Sequence, residues 1–220
     1  MDIPIMGSMR TLYSVEDIRS AEAALFAREQ RADELMQSAA HAVATVTQNM
    51  LAKQEDPVLL LVGPGGNGGD ALYAGAVLAM QGIRVEAYAI AGTDNVHERA
   101  SQAFTAAGGS FVALGEDKAA TTNEPSAESR RYGVIVDGMF GLGGRGEIPD
   151  EVVEVLRAAK VLAIDIPSGV VADTGKTPGN HVRADVTITF GGLRRAHGLS
   201  AACGTVLCED IGLDDGSLLS

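Results

Sequence analysis

The run Val58-Leu59-Leu60-Leu61-Val62 has no polar member, so a strand built from it has no face to give to water. A strand exposed on one side alternates apolar and polar residues, whereas a strand buried on both faces belongs to a parallel sheet covered by helices. Related apolar runs recur at 84–90, 109–112, 133–136, 161–164, 185–190 and 204–208. Helix-period segments at 70–81, 97–107 and 150–159 separate the earlier runs, the last opened by Pro149 at a position proline tolerates. The alternation predicts an α/β fold: a Rossmann-like three-layer α/β/α sandwich with a mostly parallel central sheet. Ahead of it, Ile18, Leu25, Phe26, Leu35, Met36, Val43 and Val46 recur at helical spacing. They predict two N-terminal helices with a break near Gln30 to Ala32, the first capped by Ser14 with Glu16 and Asp17 in its first turn.

A chain of 220 residues that is 46% hydrophobic suffices for one well-packed domain. The net charge of −12 argues against nucleic-acid partners and anionic membrane surfaces, both of which need clustered Lys and Arg. No apolar stretch approaches the roughly 18 residues of a membrane span, and the N-terminus lacks the basic-then-apolar order of a secretory signal, so the cytoplasm is the expected compartment. Cys203 and Cys208, five apart in a strand-like segment, point to opposite faces and are expected as separate thiols. Residues 1–10 include Gly7-Ser8-Met9 and read as a disordered leader or a cloning scar. The polar segment 116–131 reads as an exposed loop or weak helix.

In an open parallel sheet, ligands bind beyond the carboxyl ends of the strands. Three such ends carry an acid and glycines: Gly63-Pro64-Gly65-Gly66-Asn67-Gly68-Gly69-Asp70, the stretch from Asp137 through Gly146 to Glu147, and Asp165-Ile166-Pro167-Ser168-Gly169. Five glycines in the first of these suggest a backbone left bare for a ligand. The loop satisfies G-x-G-x-x-G, but an ordinary dinucleotide reader also wants an acid at the end of the second strand; Glu86 falls inside that strand and Asp94 too late. Asp70 reads either as a helix cap or as a ligand-facing acid, and Asp137 and Asp165 as loop caps or functional groups. Asn67, Asp137 and Ser168 supply oxygens too poor in charge for zinc or calcium and better suited to a monovalent cation. His41, His97 and His181 lack metal-ligand spacing, and Phe140 reads as a packing residue.

These motifs, with Ala184-Asp185-Val186-Thr187-Ile188-Thr189-Phe190-Gly191 and with Leu35-Met36 in the front helix, resemble the NAD(P)H-hydrate epimerases, the YjeF N-terminal domain family. The resemblance implies one such domain over residues 11–214. It implies a potassium ion held by Asn67, Asp137 and Ser168. Hydrated NADH or NADPH, a substrate rather than a cofactor, would lie against Gly66, Asn67, Gly68, Gly69, Asp70, Gly141, Leu142, Gly143, Gly144, Arg145, Gly146, Glu147 and Asp165. Asp165 would transfer protons, assisted by Asp70 or Asp137, in exchanging the R and S forms of the hydrate. The resemblance also implies a homodimer and a dehydratase, fused or separate, that consumes the product. Three features depart from the family: Gly66 stands where a second asparagine is common, Arg194 and Arg195 stand near the usual lysine, and Ala40 replaces a glycine. Two other readings compete: an inactive Rossmann-like protein-interaction module, and a nicotinamide-dependent oxidoreductase or methyltransferase.

Overall fold

A computed structural model describes residues 11–26, 32–114, 132–141, 148–157 and 159–210. The chain runs β1 (Leu12–Tyr13), α1 (Val15–Phe26), α2 (Glu34–Met50), β2 (Val58–Val62), α3 (Gly66–Met80), β3 (Val85–Ala89), α4 (Glu98–Ala106) and β4 (Ser110–Phe111). It continues with β5 (Val134–Gly138), α5 (Asp150–Leu156), β6 (Lys160–Ile164), β7 (Val186–Phe190), β8 (Leu193–Arg194), α6 (Arg195–Leu199) and β9 (Thr205–Glu209). Among the described residues one parallel sheet of seven strands runs in the order β4-β3-β2-β5-β6-β7-β9, and β1 pairs in parallel with β8 beside it. The doubly wound α/β sandwich expected from the apolar runs is present. Because β3 lies on one side of β2 and β5 on the other, the chain reverses direction of travel between β2 and β5, which opens a crevice at their carboxyl ends.

The uniform apolarity of β2 now has its reason. Val58, Leu60 and Val62 pack with α2, α3 and α4 on one face of the sheet, while Leu59 and Leu61 pack with α5, Ile135 and Val161 on the other. All five are completely buried. Gly75 lets α3 lie close on this layer, since a Cβ there would stand 2.5 Å from Leu60 Cδ1 and 3.0 Å from the Phe104 ring.

Local signals explain the starts of α1 and α4. The Ser14 hydroxyl accepts the Asp17 N–H while the Asp17 carboxylate accepts the Ser14 N–H, a reciprocal cap that fixes the start of α1. The Ser14 hydroxyl also donates to the Asp17 carboxylate at 2.6 Å, and this bond, with that from the Ser14 N–H, holds the Asp17 carboxyl below its ordinary range. His97 caps α4 through Nδ1, which accepts the Ala100 N–H.

Two details differ from the expectations, the start of α3 and the place of Cys203. Helix α3 begins at Gly66 rather than Asp70, with Gly65 as its N-cap and no side-chain cap bond, so Asp70 is an internal residue and not the cap. Between β6 and β7, no helix forms. That crossover is an irregular segment tied down by bonds such as Val182 N–H to the Ser168 carbonyl (2.8 Å) and covering Ile166, Val170 and Ala172. Cys203 lies in a single helical turn ahead of β9 rather than in the strand; neither cysteine forms a disulfide, and burial pushes the Cys203 thiol up to about 11. The segment 116–131 lies outside the described residues. No helix among the described residues is long and apolar enough to cross a membrane.

Candidate active site

The glycine loop between β2 and α3 divides into two kinds of position. A Cβ on Gly63 would lie 1.7 Å from the Met139 carbonyl oxygen, one on Gly68 2.0 Å from the Gly63 carbonyl oxygen, and one on Gly69 2.5 Å from the Met36 sulfur. These three glycines serve close packing within the chain, and Gly68 and Gly69 are buried. Only Gly65 and Gly66 face open space with nothing within 4 Å of an added Cβ, and both are exposed. The reading of all five glycines as a ligand surface therefore narrows to two, together with the N–H groups that the first turn of α3 leaves without intrahelical partners.

Close packing brings the start of α3 against the next two strand ends. Gly138 and Gly141 leave room for Asn67, whose Nδ2 donates to the Ile164 carbonyl at 2.8 Å and the Phe140 carbonyl at 3.4 Å. Phe140 in turn donates its N–H to the Ser168 hydroxyl oxygen at 3.1 Å, and the Ser168 hydroxyl donates to Asp137 Oδ1 at 2.7 Å. Asp137 Oδ2 accepts the Ser168 N–H at 2.8 Å, and Oδ1 also accepts the Met139 N–H at 3.2 Å. Asn67, Ser168 and Asp137 thus form one connected set across the ends of β2, β5 and β6. Asp137 is fully buried, and burial pushes its carboxyl up to about 6 against the lowering effect of the Ser168 and Met139 donors.

This donor set suits a hard, singly charged cation. Two backbone carbonyls converge on the point now held by the Asn67 amide N–H, and the remaining donors are one carboxylate, one hydroxyl and one amide oxygen. It offers neither the imidazole and thiolate groups of a zinc site nor the several carboxylates of a calcium site.

Asp165, directly after β6, is held differently. Its backbone has φ 66, in the left-handed region, and its side chain is almost entirely buried. The N–H donates to the Ile188 carbonyl at 2.7 Å. Oδ1 accepts the Thr189 hydroxyl at 3.0 Å and pairs with the Arg194 guanidinium at 2.7 Å. Arg194 is itself buried and donates to the carbonyls of Phe190 and Gly192. Oδ2 has no hydrogen bond among the described residues, so one carboxylate oxygen is anchored and the other is left for chemistry. Asp70 stands half-buried in α3, three residues beyond Asn67 and so on the same side of the helix.

The sequence reading therefore finds Asn67, Asp137, Ser168 and Asp165 together at neighbouring strand ends, with Gly66, Gly68, Gly69, Asp70 and Gly141 beside them. Leu142, Gly143, Gly144, Arg145, Gly146 and Glu147 lie outside the described residues. Thr189, Arg194 and His197 are the members it missed as site residues. Arg194 carried a signal, being a basic residue right after an apolar strand and glycines; His197 carried none. Glu86, rejected above as a ribose acid, accepts the Tyr132 hydroxyl at 2.6 Å from inside β3 and is 6% exposed, so it is committed to the core. A separate cavity of about 480 Å³ between α2, α3 and α4 is lined by Gln37, His41, Tyr73 and Met80. It lies toward the C-terminal end of α3, away from the strand ends, and no carboxylate among the described residues lines it.

The family model described as YjeF-related protein N-terminus matches residues 32–196. The chain is 41% identical to a bifunctional NAD(P)H-hydrate repair enzyme Nnr of Corynebacterium glutamicum, over 94% of this chain and 40% of that protein. It is 38% identical to an NAD(P)H-hydrate epimerase of Clavibacter sepedonicus, over 94% of this chain and 93% of that one. It thus spans about two fifths of the length of the bifunctional relatives it matches. Among solved structures, the crystal structure of yeast ynu0 shares the fold with a TM-score of 0.70 at 15% identity, over 91% of this chain and 88% of that chain.

Proposed function

The chain belongs to the YjeF-related protein N-terminus family, and on that premise we propose that it epimerises the R and S forms of hydrated NADH and NADPH. The observation that carries this reading is Asp165, a buried carboxylate with Oδ1 fixed by Thr189 and Arg194 and Oδ2 left for substrate. Asn67, Asp137, Ser168 and Asp70 converge beside it, and relatives named NAD(P)H-hydrate epimerase match nearly end to end.

The substrate carries a hydroxyl on a ring carbon next to the ring nitrogen. In the proposed mechanism a proton reaches that hydroxyl through Asp165 Oδ2. The C–O bond breaks, water leaves with the bonding pair, and the nitrogen lone pair closes a planar iminium. Asp165 is then an anion facing a cation, and Arg194 together with Thr189 holds that negative charge in place. Water adds to the opposite face of the ring, and its proton returns to Oδ2 by way of Asp70 and solvent, which inverts the centre and restores the acid. Asp137, with both oxygens taken by Ser168 and Met139, is an anchor in this scheme rather than the proton carrier, and Asp70 is the assisting acid.

Asn67, Asp137 and Ser168 would hold potassium, which supplies a fixed positive charge beside a dinucleotide that is itself anionic. Gly65, Gly66 and the N-terminal N–H groups of α3 receive the phosphates. The S hydrate is the product passed to a dehydratase, an activity consistent with the bifunctional relatives, and a homodimer belongs to the same reading.

The test starts from isolated R hydrate of NADPH and follows the S form by chromatography. Equilibration far faster than in buffer is expected, with Asp165→Asn slower by about 10²–10⁴-fold. A folded wild-type protein that adds nothing to the buffer rate would overturn the reading.

A further inference from the structure

We propose that His197 is a positioning residue for Asp165; the inference rests on the proton-transfer role given to Asp165 above. A non-glycine residue at φ 66 sits in the sparsely populated left-handed region, so surrounding bonds must impose the conformation. Three of those bonds come from β7 and its flank: the Ile188 carbonyl on the Asp165 N–H, and Thr189 with Arg194 on Oδ1. The fourth comes from His197. Its Nε2–H donates to the Asp165 carbonyl at 2.8 Å, while its Nδ1 accepts the Arg194 backbone N–H at 3.0 Å.

One imidazole ring thereby joins the backbone of the acid to the backbone of the arginine that holds the acid's carboxylate. The ring fixes two things together: the left-handed peptide that aims Asp165, and the spacing from which the Arg194 side chain reaches back to Oδ1. Only the neutral ring with its proton on Nε2 satisfies both bonds, because a second proton on Nδ1 would face the Arg194 N–H. Asp165 and Arg194 are the charged groups against it, and burial, with the Arg194 charge, keeps the imidazole below its usual range despite the pull of Asp165. His197 is one turn into α6, which has no other polar link to Asp165 among the described residues.

The experiment compares His197→Ala and His197→Gln with the wild type and repeats His197→Ala in an Asp165→Asn background, measuring kcat and KM for hydrate epimerisation. Misplacing a reacting group by about an ångström costs on the order of 10²-fold, so His197→Ala is expected to lower kcat by about 10–100-fold with KM nearly unchanged. His197→Gln, which keeps an N–H donor of similar reach, recovers part of that loss. In the Asp165→Asn background His197→Ala changes kcat little. An equal fall in both backgrounds, or no fall in either, overturns the proposal.

NMR supplies a readout that does not need turnover. The Asp165 HN–Hα coupling and shifts are expected to leave left-handed values in His197→Ala; where that variant fails to fold, the smaller shift in His197→Gln is read instead. Unchanged Asp165 signals overturn the positioning role. Absence of turnover in the wild type with the NMR change present overturns the epimerase reading alone.

Discussion

The two edges of the candidate site are held by opposite means. At the β2–α3 edge the backbone does the holding: Gly63, Gly68 and Gly69 remove side chains so that a loop, a strand end and two helices can touch, and the open surface that remains is Gly65 and Gly66. At the β6–β7 edge the backbone of Asp165 is bent into an unfavoured conformation and side chains do the holding, through Thr189, Arg194 and His197. The first edge writes itself into the sequence as a glycine motif. The second is spread over thirty-odd residues of ordinary-looking chain.

Substitutions can break this contrast, and the largest effect belongs to the inward glycines. Gly63→Ala puts a Cβ against the Met139 carbonyl, and Gly68→Ala against the Gly63 carbonyl; backbone cannot swing aside as a side chain can. A loss of more than about 4 kcal/mol is expected, seen as the disappearance of a cooperative thermal transition by circular dichroism. A normal melt for Gly63→Ala would mean that the loop is not packed as described.

Next in size is Arg194→Met. Removing one member of a buried ion pair strands the other, and about 3–5 kcal/mol should be lost in urea unfolding. Arg194→Lys should lose less, since it keeps the charge, yet it cannot reproduce the fork that reaches Asp165 and two carbonyls together.

Smaller is the pH dependence contributed by Asp137. Its carboxyl is raised from 3.8 to about 6 by burial, so between those values the folded chain keeps a proton that the unfolded chain has lost. Stability from this group is therefore greatest below about pH 4, falls as pH rises toward about 6, and is flat above it. Comparing urea midpoints of wild type and Asp137→Asn from pH 4 to 7 in potassium-free buffer isolates the slope, which potassium should reduce. Identical pH profiles for the two proteins would contradict the burial of that carboxylate.

The smallest effect, with the opposite sign, is at Gly66. An alanine there meets nothing and starts a helix more favourably, so a gain of about 0.5–1 kcal/mol is expected. The same substitution should raise KM for the hydrated dinucleotide by crowding the only bare stretch of the loop. A raised KM beside an unchanged or higher melting temperature would sharpen the division between packing glycines and ligand-facing ones.

The sequence made the sheet legible because complete burial demands complete apolarity; Val58–Val62 matches its run residue for residue. It misplaced the start of α3 because glycine has poor helix propensity, which local reading weighs, while the contacts of Gly63, Gly68 and Gly69 that impose the helix are not local. Asn67, Asp137, Ser168 and Asp165 were legible because polar residues directly after apolar strands fall at one edge by topology. Arg194 and His197 were not read as site residues, since their partner lies some thirty positions earlier and meets them only through the register of β6 and β7. Nor does a sequence reveal that Asp165 has positive φ, a conformation usually announced by glycine.

The most direct test of the account is to run the R-to-S conversion in water enriched in oxygen-18, with potassium present, and to follow both inversion and label by mass spectrometry. Elimination to an iminium and re-addition of water predicts label in the ring hydroxyl of the inverted product at the rate of enzymatic inversion, with both processes lost together in Asp165→Asn. Inversion without label, or label and inversion at wild-type rates in Asp165→Asn, would contradict it.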